Sequence, residues 1–213
     1  KNGEGSALMR EPKKAEEILS AIRRATKLPF TVKMRLGWDD ASRNAVEIAR
    51  IAEAVGVDAV AVHGRTREQF YSGNADYAAI AEVKRAVNIP VIVSGDIRRP
   101  ADLARALDIT GADAVMIGRG AQGNPWVFPQ LIHWLRTGEE LPPPTLIERA
   151  QVILRHLGLL VGYKGEYIGI REMRKHAAWY TRGLKGSAEL RERFNRAASK
   201  DEFVQILHEA WAI

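Results

Sequence analysis

An internal repeat restricts this chain more than any other feature of its sequence. Leu28-Pro29-Phe30-Thr31-Val32-Lys33 is matched by Ile89-Pro90-Val91-Ile92-Val93-Ser94, and Gly56-Val57-Asp58-Ala59-Val60-Ala61-Val62 by Gly111-Ala112-Asp113-Ala114-Val115-Met116-Ile117. Each copy is a short apolar run opened by Pro or Gly, the pattern of a strand buried on both faces. Between the copies the spacing becomes helical. Residues 11–26 place Ala15, Ile18, Leu19 and Ile22 on one face, and Ala45, Ile48, Ala49, Ala52 and Val55 do the same further on. Strands over 30–35, 59–63, 90–94 and from 114 therefore alternate with helices, including 75–87 and 100–107. That alternation calls for a parallel sheet with helical crossovers, an α/β fold rather than a solenoid of short strict period. Four β/α units amount to half of a TIM (β/α)8 barrel. A half barrel leaves two sheet edges and an uncovered interior, so it is expected to self-associate through those edges or to need a partner.

Pro142-Pro143-Pro144 marks a change of architecture. Beyond it no strand pattern occurs, only helical stretches near 146–161, 168–181, 188–198 and 201–211. The expected organisation is a barrel half over 1–141 followed by a small all-α helical domain over 142–213. Residues 144–213 carry twelve Lys and Arg against eight Asp and Glu, making the shorter segment the more basic. The net charge of +6 leans toward a polyanionic partner. With no cysteine, disulfides, thiolate metal sites and a cysteine catalyst within these residues are excluded, which fits a reducing compartment. No apolar run approaches membrane-spanning length and no signal peptide is visible, so a soluble chain with no membrane partner is expected. Lys1-Asn2-Gly3-Glu4-Gly5-Ser6 reads as mid-loop without an initiator methionine, as expected of a fragment.

In a parallel barrel, functional groups gather where strands end at their C-terminal edge. Here those ends carry Lys33, His63-Gly64-Arg65, Ser94-Gly95-Asp96 and Gly118-Arg119. Four polar strand ends in consecutive units point to a ligand site, because strand interiors reject Lys and His unless a partner satisfies them. Lys33 reads either as an ordinary surface lysine or as a cation beside a ligand. His63 reads as a satisfied structural histidine or as a donor to a ligand oxygen. Arg65 has Asp39, Asp40 and Glu68 as candidate ion-pair partners. Gly95 permits close backbone approach to a ligand. The stretch from Gly118 to Trp126 suits a phosphate: glycines free backbone N–H groups, Arg119 adds a planar cation, and Asn124-Pro125 reads as the cap and first residue of a helix. No metal-ligand spacing stands out among the five histidines, and no nucleophile–base pair is legible. Further on, Arg171, Arg174, Lys175 and Arg182 interleave with His176, Trp179 and Tyr180. They read either as a grip on phosphates and bases or as a solvated face with its aromatics in the core.

These residues resemble, in order, those of the bacterial tRNA-dihydrouridine synthases. The matching segments are residues 1–9, Val32-Lys33-Met34-Arg35-Leu36-Gly37-Trp38, Val62-His63-Gly64-Arg65-Thr66-Arg67, Ser94-Gly95-Asp96-Ile97, Met116 to Trp126, and Arg171-Glu172-Met173-Arg174-Lys175-His176. The resemblance implies that this is the C-terminal half of an FMN-binding barrel followed by a helical tRNA-binding domain, in a cytoplasmic enzyme that is monomeric when complete. It implies that Lys33 and His63 contact the flavin rings, that Ser94, Gly95 and Asp96 run along the flavin and ribityl chain, and that Gly118 and Arg119 hold the phosphate. Arg65, Arg171, Arg174 and Lys175 are implied as tRNA contacts. NADPH is the implied reductant; hydride passes to C6 of a uracil and a cysteine acid protonates C5. That cysteine is expected in a loop just upstream of Lys1, so the chain alone is expected to show little or no turnover. Two other readings remain: an FMN barrel oxidoreductase of a small metabolite, and a non-catalytic RNA-binding fragment.

Overall fold

A computed structural model describes residues 3–211 and divides into two compact units, Lys1–Gly120 and Ala121–Ile213. In the first, a 3-10 turn over Gly5–Arg10 leads into α1 (Pro12–Ala25), which has proline in its first turn, where a missing N–H costs nothing. The alternation then proceeds through β1 (Thr31–Met34), α2 (Ala45–Ala54), β2 (Ala59–His63), α3 (Tyr77–Ala86), β3 (Val91–Ser94), α4 (Pro100–Thr110) and β4 (Ala114–Met116). All neighbouring strands are parallel and the sheet order is β1-β2-β3-β4, so each unit adds one strand on the same side. This is the wall of half a (β/α)8 barrel. The inner strands are the buried ones: Val60, Val62, Val91 and Val93 are fully covered, while Thr31, Lys33 and Ala114 on the two edge strands are exposed. The helices supply the facing layer through Ala49, Ala52, Ile80, Val83, Leu103 and Ala106, all fully buried.

The repeated Gly-x-Asp-Ala has a mechanical role. Asp58 precedes β2, and its carboxylate accepts the N–H of Phe30 at 2.7 Å, while its own N–H donates to Phe30 O at 2.8 Å. Asp113 precedes β4 and repeats the arrangement on Val91, accepting its N–H at 2.8 Å and donating to its carbonyl at 2.9 Å. Each aspartate thus fixes the start of its strand against the preceding one. A basic side chain completes each pair, Arg23 on Asp58 and Lys84 on Asp113.

The second unit contains α5 (Val127–Thr137), α6 (Leu146–Lys164), α7 (Glu166–Tyr180), α8 (Ser187–Arg196) and α9 (Lys200–Trp211). Its core gathers Ile153, Leu157, Ile170, Met173, Phe194 and Phe203, with the last two rings stacked 4.5 Å apart. α6 opens with a reciprocal capping box between Thr145 and Glu148, directly after the triple proline. Contacts change sides between Gly120 and Ala121, earlier than the Pro142 boundary read from composition. The cause is local: Trp126 packs on the helical core with Arg149 over its ring, and Gly123 lies against the backbone of Trp179. The start of α5 also differs from the sequence reading. It begins at Val127 with Trp126 at the cap, and Asn124 makes no side-chain cap, because residues 122–126 are taken up by turns.

α6 and α7 form a hairpin around Gly165, and Gly169 lets them approach closely. A Cβ on Gly169 would sit 2.9 Å from Val161 N and 3.0 Å from Leu160 O, both backbone atoms that cannot swing aside. Gly162, inside α6, has nothing within 4 Å of such a Cβ. Gly169→Ala is therefore expected to destabilise the chain by about 1–3 kcal/mol, whereas Gly162→Ala stabilises it by up to ~1 kcal/mol. Urea denaturation of the two variants side by side checks this; equal midpoints would contradict the packing account.

Candidate functional site

The C-terminal ends of the four strands open on one cleft of about 210 Å³, lined by Lys33, His63, Tyr71, the 94–98 loop and the 116–120 segment. Lys33 belongs to the edge strand β1, and its side chain has no ion pair or hydrogen bond among the described residues. Its pKa lies below that of an ordinary lysine, through loss of hydration and then the nearby charge of Arg35. His63, the last residue of β2, is 7% exposed, and its pKa is lowered to about 4. Burial is the largest cause, followed by the positive charges of Arg35, Lys33 and Arg65. The imidazole is therefore neutral at pH 7. Arg65 Nη1 lies 3.4 Å from His63 Nε2. A guanidinium only donates, so Nε2 accepts and Nδ1 carries the proton.

Asp96 ties the loops together. Its Oδ2 accepts from Arg65 Nη2 at 2.6 Å and from the Ala75 N–H at 2.8 Å, while Oδ1 accepts from Arg119 Nη2 at 3.2 Å. Burial pushes the carboxyl up, but the Arg65 and Ala75 hydrogen bonds and the two guanidinium charges outweigh it, holding its pKa below the usual carboxylate range. Asp96 has a φ of +54°, in the left-handed region that aspartate tolerates better than most residues. Just before it, Gly95 has a φ of +125°. A Cβ there would meet Ala75 Cβ at 2.8 Å and His63 Cδ2 at 3.1 Å, so only glycine fits. The Gly95 carbonyl is held by the Tyr77 hydroxyl at 2.7 Å.

On the other flank, a Cβ on Gly118 would meet nothing within 4 Å, which leaves its backbone open to a ligand. Gly120 is the opposite case, its missing Cβ lying 2.4 Å from Ile97 O, so this glycine lets the 118–120 segment close against the 95–98 loop. The Arg119 guanidinium lies 4.1 Å from the centre of the Tyr71 ring, and its side chain remains about one-third exposed. Arg119 is thus pre-oriented by a carboxylate and an aromatic face, with donors left over.

Comparison with known proteins follows this geometry. The family model described as "Dihydrouridine synthase (Dus)" matches residues 1–212. The chain belongs to the dihydrouridine synthase family. Its relatives include the "Probable tRNA-dihydrouridine synthase" of Rickettsia bellii, 49% identical over 206 residues, covering 95% of this chain and 63% of that protein. The "tRNA-dihydrouridine synthase B" of Pseudomonas aeruginosa is 47% identical over 197 residues, covering 92% of this chain and 59% of that protein. The "tRNA-dihydrouridine synthase B" of Xanthomonas axonopodis pv. citri is 49% identical with the same coverages. The chain spans about 60% of the length of these relatives.

Lys33, His63, Ser94, Gly95, Asp96, Gly118 and Arg119 converge on the cleft as the strand-end pattern anticipates. Asp96 spends its carboxylate on protein donors, so it organises the site rather than offering a free acceptor. Arg65 is a correction. It is 1% exposed and bonds Ser72 O, Gly73 O and Asp96, not Asp39, Asp40 or Glu68, and so braces the β2–α3 loop instead of presenting to a macromolecule. Arg174 is a second one. Its Nε and Nη2 both donate to Ala197 O, a partner the sequence reading did not name, which ties α7 to the segment before α9. Arg171 and Lys175 of α7 are exposed. Sequence reasoning passed over Tyr71, which floors Arg119, and Arg35, whose Nη1 holds the loop by donating to Thr66 O and Phe70 O. The available signal was an aromatic pair, Phe70-Tyr71, inside a loop that leaves a polar strand end. No helix among the described residues is long and apolar enough to cross a membrane.

Two outcomes follow. Asp96→Ala leaves the buried Arg65 without its counter-charge and is expected to cost on the order of 3 kcal/mol, with Asp96→Asn milder in a urea titration. The His63 imidazole, followed by NMR, should remain neutral down to about pH 4. Because its folded pKa lies below the unfolded value of about 6.5, its contribution to stability is full above that pH and is lost as pH falls toward 4. His63→Gln should flatten the stability profile across that window.

Proposed function

We infer that the complete protein is an FMN-dependent tRNA-dihydrouridine synthase and that this chain supplies one wall of its flavin site and a tRNA-binding helical unit. The observation that carries the reading is the convergence of an unpaired lysine, a neutral histidine donor, a Cβ-free backbone and an arginine about one-third exposed at the C-terminal mouth of a parallel half barrel. The donor set fits a flavin mononucleotide. Arg119 and the Gly118 backbone suit a phosphate monoester, and Asp96 does not cancel the charge there because Arg65 shares it. Gly95 and His63 offer a flat approach with one N–H donor, and Lys33 a cation for the electron-rich edge of a ring system.

FMN, when bound and reduced by NADPH, supplies the hydride for C6 of the target uracil. The residues here bind and orient. Lys33 stabilises negative charge, neutral His63 donates without releasing a proton at neutral pH, and the Arg119–Asp96–Arg65 link holds three loops in register around the ligand. The C5 proton requires an acid that this chain, which has no cysteine, does not provide in the form the family resemblance implies. The basic surplus of residues 144–213 suits contacts to tRNA phosphates, whose strength should fall steeply with salt.

Titrating FMN with the 213-residue chain should quench flavin fluorescence saturably. Arg119→Ala should raise the Kd about tenfold or more, as expected for losing a charged hydrogen bond to a phosphate. Absence of saturable binding, or indifference to Arg119→Ala, would overturn the assignment of the phosphate site. An assay of the same chain with tRNA and NADPH should give no dihydrouridine, and normal product formation would refute the need for the missing acid.

A further inference from the structure

The second unit carries an exposed feature that the flavin cleft does not explain. Tyr163 and Tyr167 stand two residues either side of Gly165 at the α6–α7 turn and are 85% and 72% exposed. From Tyr167, α7 places Arg171, Lys175 and Trp179 at successive four-residue steps, the spacing of neighbours on one helix face. The steps rise about 6 Å each, so the four groups span about 18 Å along a slowly turning stripe. Cations cover the rings at both ends: the Arg171 guanidinium carbon lies 3.6 Å from the Tyr167 ring centre, and Lys175 Nζ lies 5.2 Å from that of Trp179. The one acid between them, Glu172, is held by Lys164 at 2.8 Å.

We propose that the Tyr167–Arg171–Lys175–Trp179 stripe, with Tyr163 at its end, is a stacking track for unpaired nucleotides of an RNA, seated on the helical unit and separate from the flavin cleft. The proposal rests on the tRNA reading above and deepens it by naming what is gripped: exposed base faces and their phosphates, rather than duplex backbone alone. Chemistry favours RNA over a protein surface. Centres of protein interfaces are depleted in lysine and other charges, whereas here two cations occupy the middle of the stripe and aromatics its ends. Unpaired nucleotides present that same alternation, a π face for each ring and an anion for each cation. Arg171, with its guanidinium carbon over the Tyr167 ring, adds a cation to that aromatic face while keeping donors for a phosphate.

The test uses the 213-residue chain, a tRNA transcript and a single-stranded oligouridylate. Wild-type chain should bind both. Tyr167→Ala should weaken both by about tenfold, the usual loss for one stacked base, leave the salt dependence unchanged and leave the thermal midpoint in place. Tyr167→Phe, which keeps the ring, should restore affinity. Arg171→Ala should weaken binding and lower the salt slope by about one. Wild-type affinity in Tyr167→Ala would overturn the proposal, as would failure of Tyr167→Phe to rescue. A dimer in sedimentation that Tyr167→Ala dissociates without changing RNA affinity would make the stripe a protein interface. No RNA binding by a chain that still binds FMN would reject the track while leaving the cleft standing.

Discussion

The carboxylate of Asp96 is the constraint on which the functional half of this molecule depends. It lies where the loops after β2, β3 and β4 meet and accepts from Arg65, Ala75 and Arg119 at once. Removing a guanidinium as buried as Arg65 from water is costly unless a charge and further acceptors compensate it; Asp96 and two loop carbonyls do so. That compensation fixes the β2–α3 loop, brings Tyr71 beside Arg119, and forces Asp96 itself into the left-handed region. Gly95 then follows of necessity, since the chain passes too close to His63 and Ala75 for any side chain.

The same arrangement sets the electrostatics. Lys33, Arg35, Arg65 and Arg119 outnumber Asp96 around the cleft, and the wall is positive. A histidine placed there by chance would be expected to gain no proton, and His63 does not: burial and three neighbouring cations lower its pKa to about 4. The result is an imidazole that stays neutral at neutral pH and keeps an N–H to donate. That fixed, positive wall is what the proposed phosphate site relies on.

Much of this architecture was legible in the sequence. The repeat of Pro-opened and Gly-x-Asp-opened apolar runs yielded all four strands and their parallel order, because β-branched runs alternating with helical spacing have few other solutions. Strand-end polarity located Lys33, His63, Gly95, Asp96, Gly118 and Arg119 at one mouth. What failed did so for reasons of long-range packing. Arg65 looked like a surface cation because its true partner lies on a different β/α unit, thirty-one residues away. Arg174 looked free because Ala197 O is reached only once α7 and α8 have packed. The unit boundary was sought at the triple proline, a composition signal, whereas Trp126 and Gly123 commit the chain to the helical core before α5 begins. The role of Asp58 and Asp113 as strand-start clamps also escaped, although the repeat had displayed both.

In the helical unit the decisive residue is a glycine rather than a charge. Gly169 lets the backbones of α6 and α7 close to contact distance. Tyr163 and Tyr167 lie outside, on a packed hairpin in which Ile170, Met173 and Ala177 fill the inner face of α7. Exposed rings on a mobile loop would lose conformational entropy on binding; exposed rings on a packed hairpin lose little, and the cation over each terminal ring of α7 restrains it further. Tight packing inside the hairpin is thus what holds the rings outside it in a fixed frame.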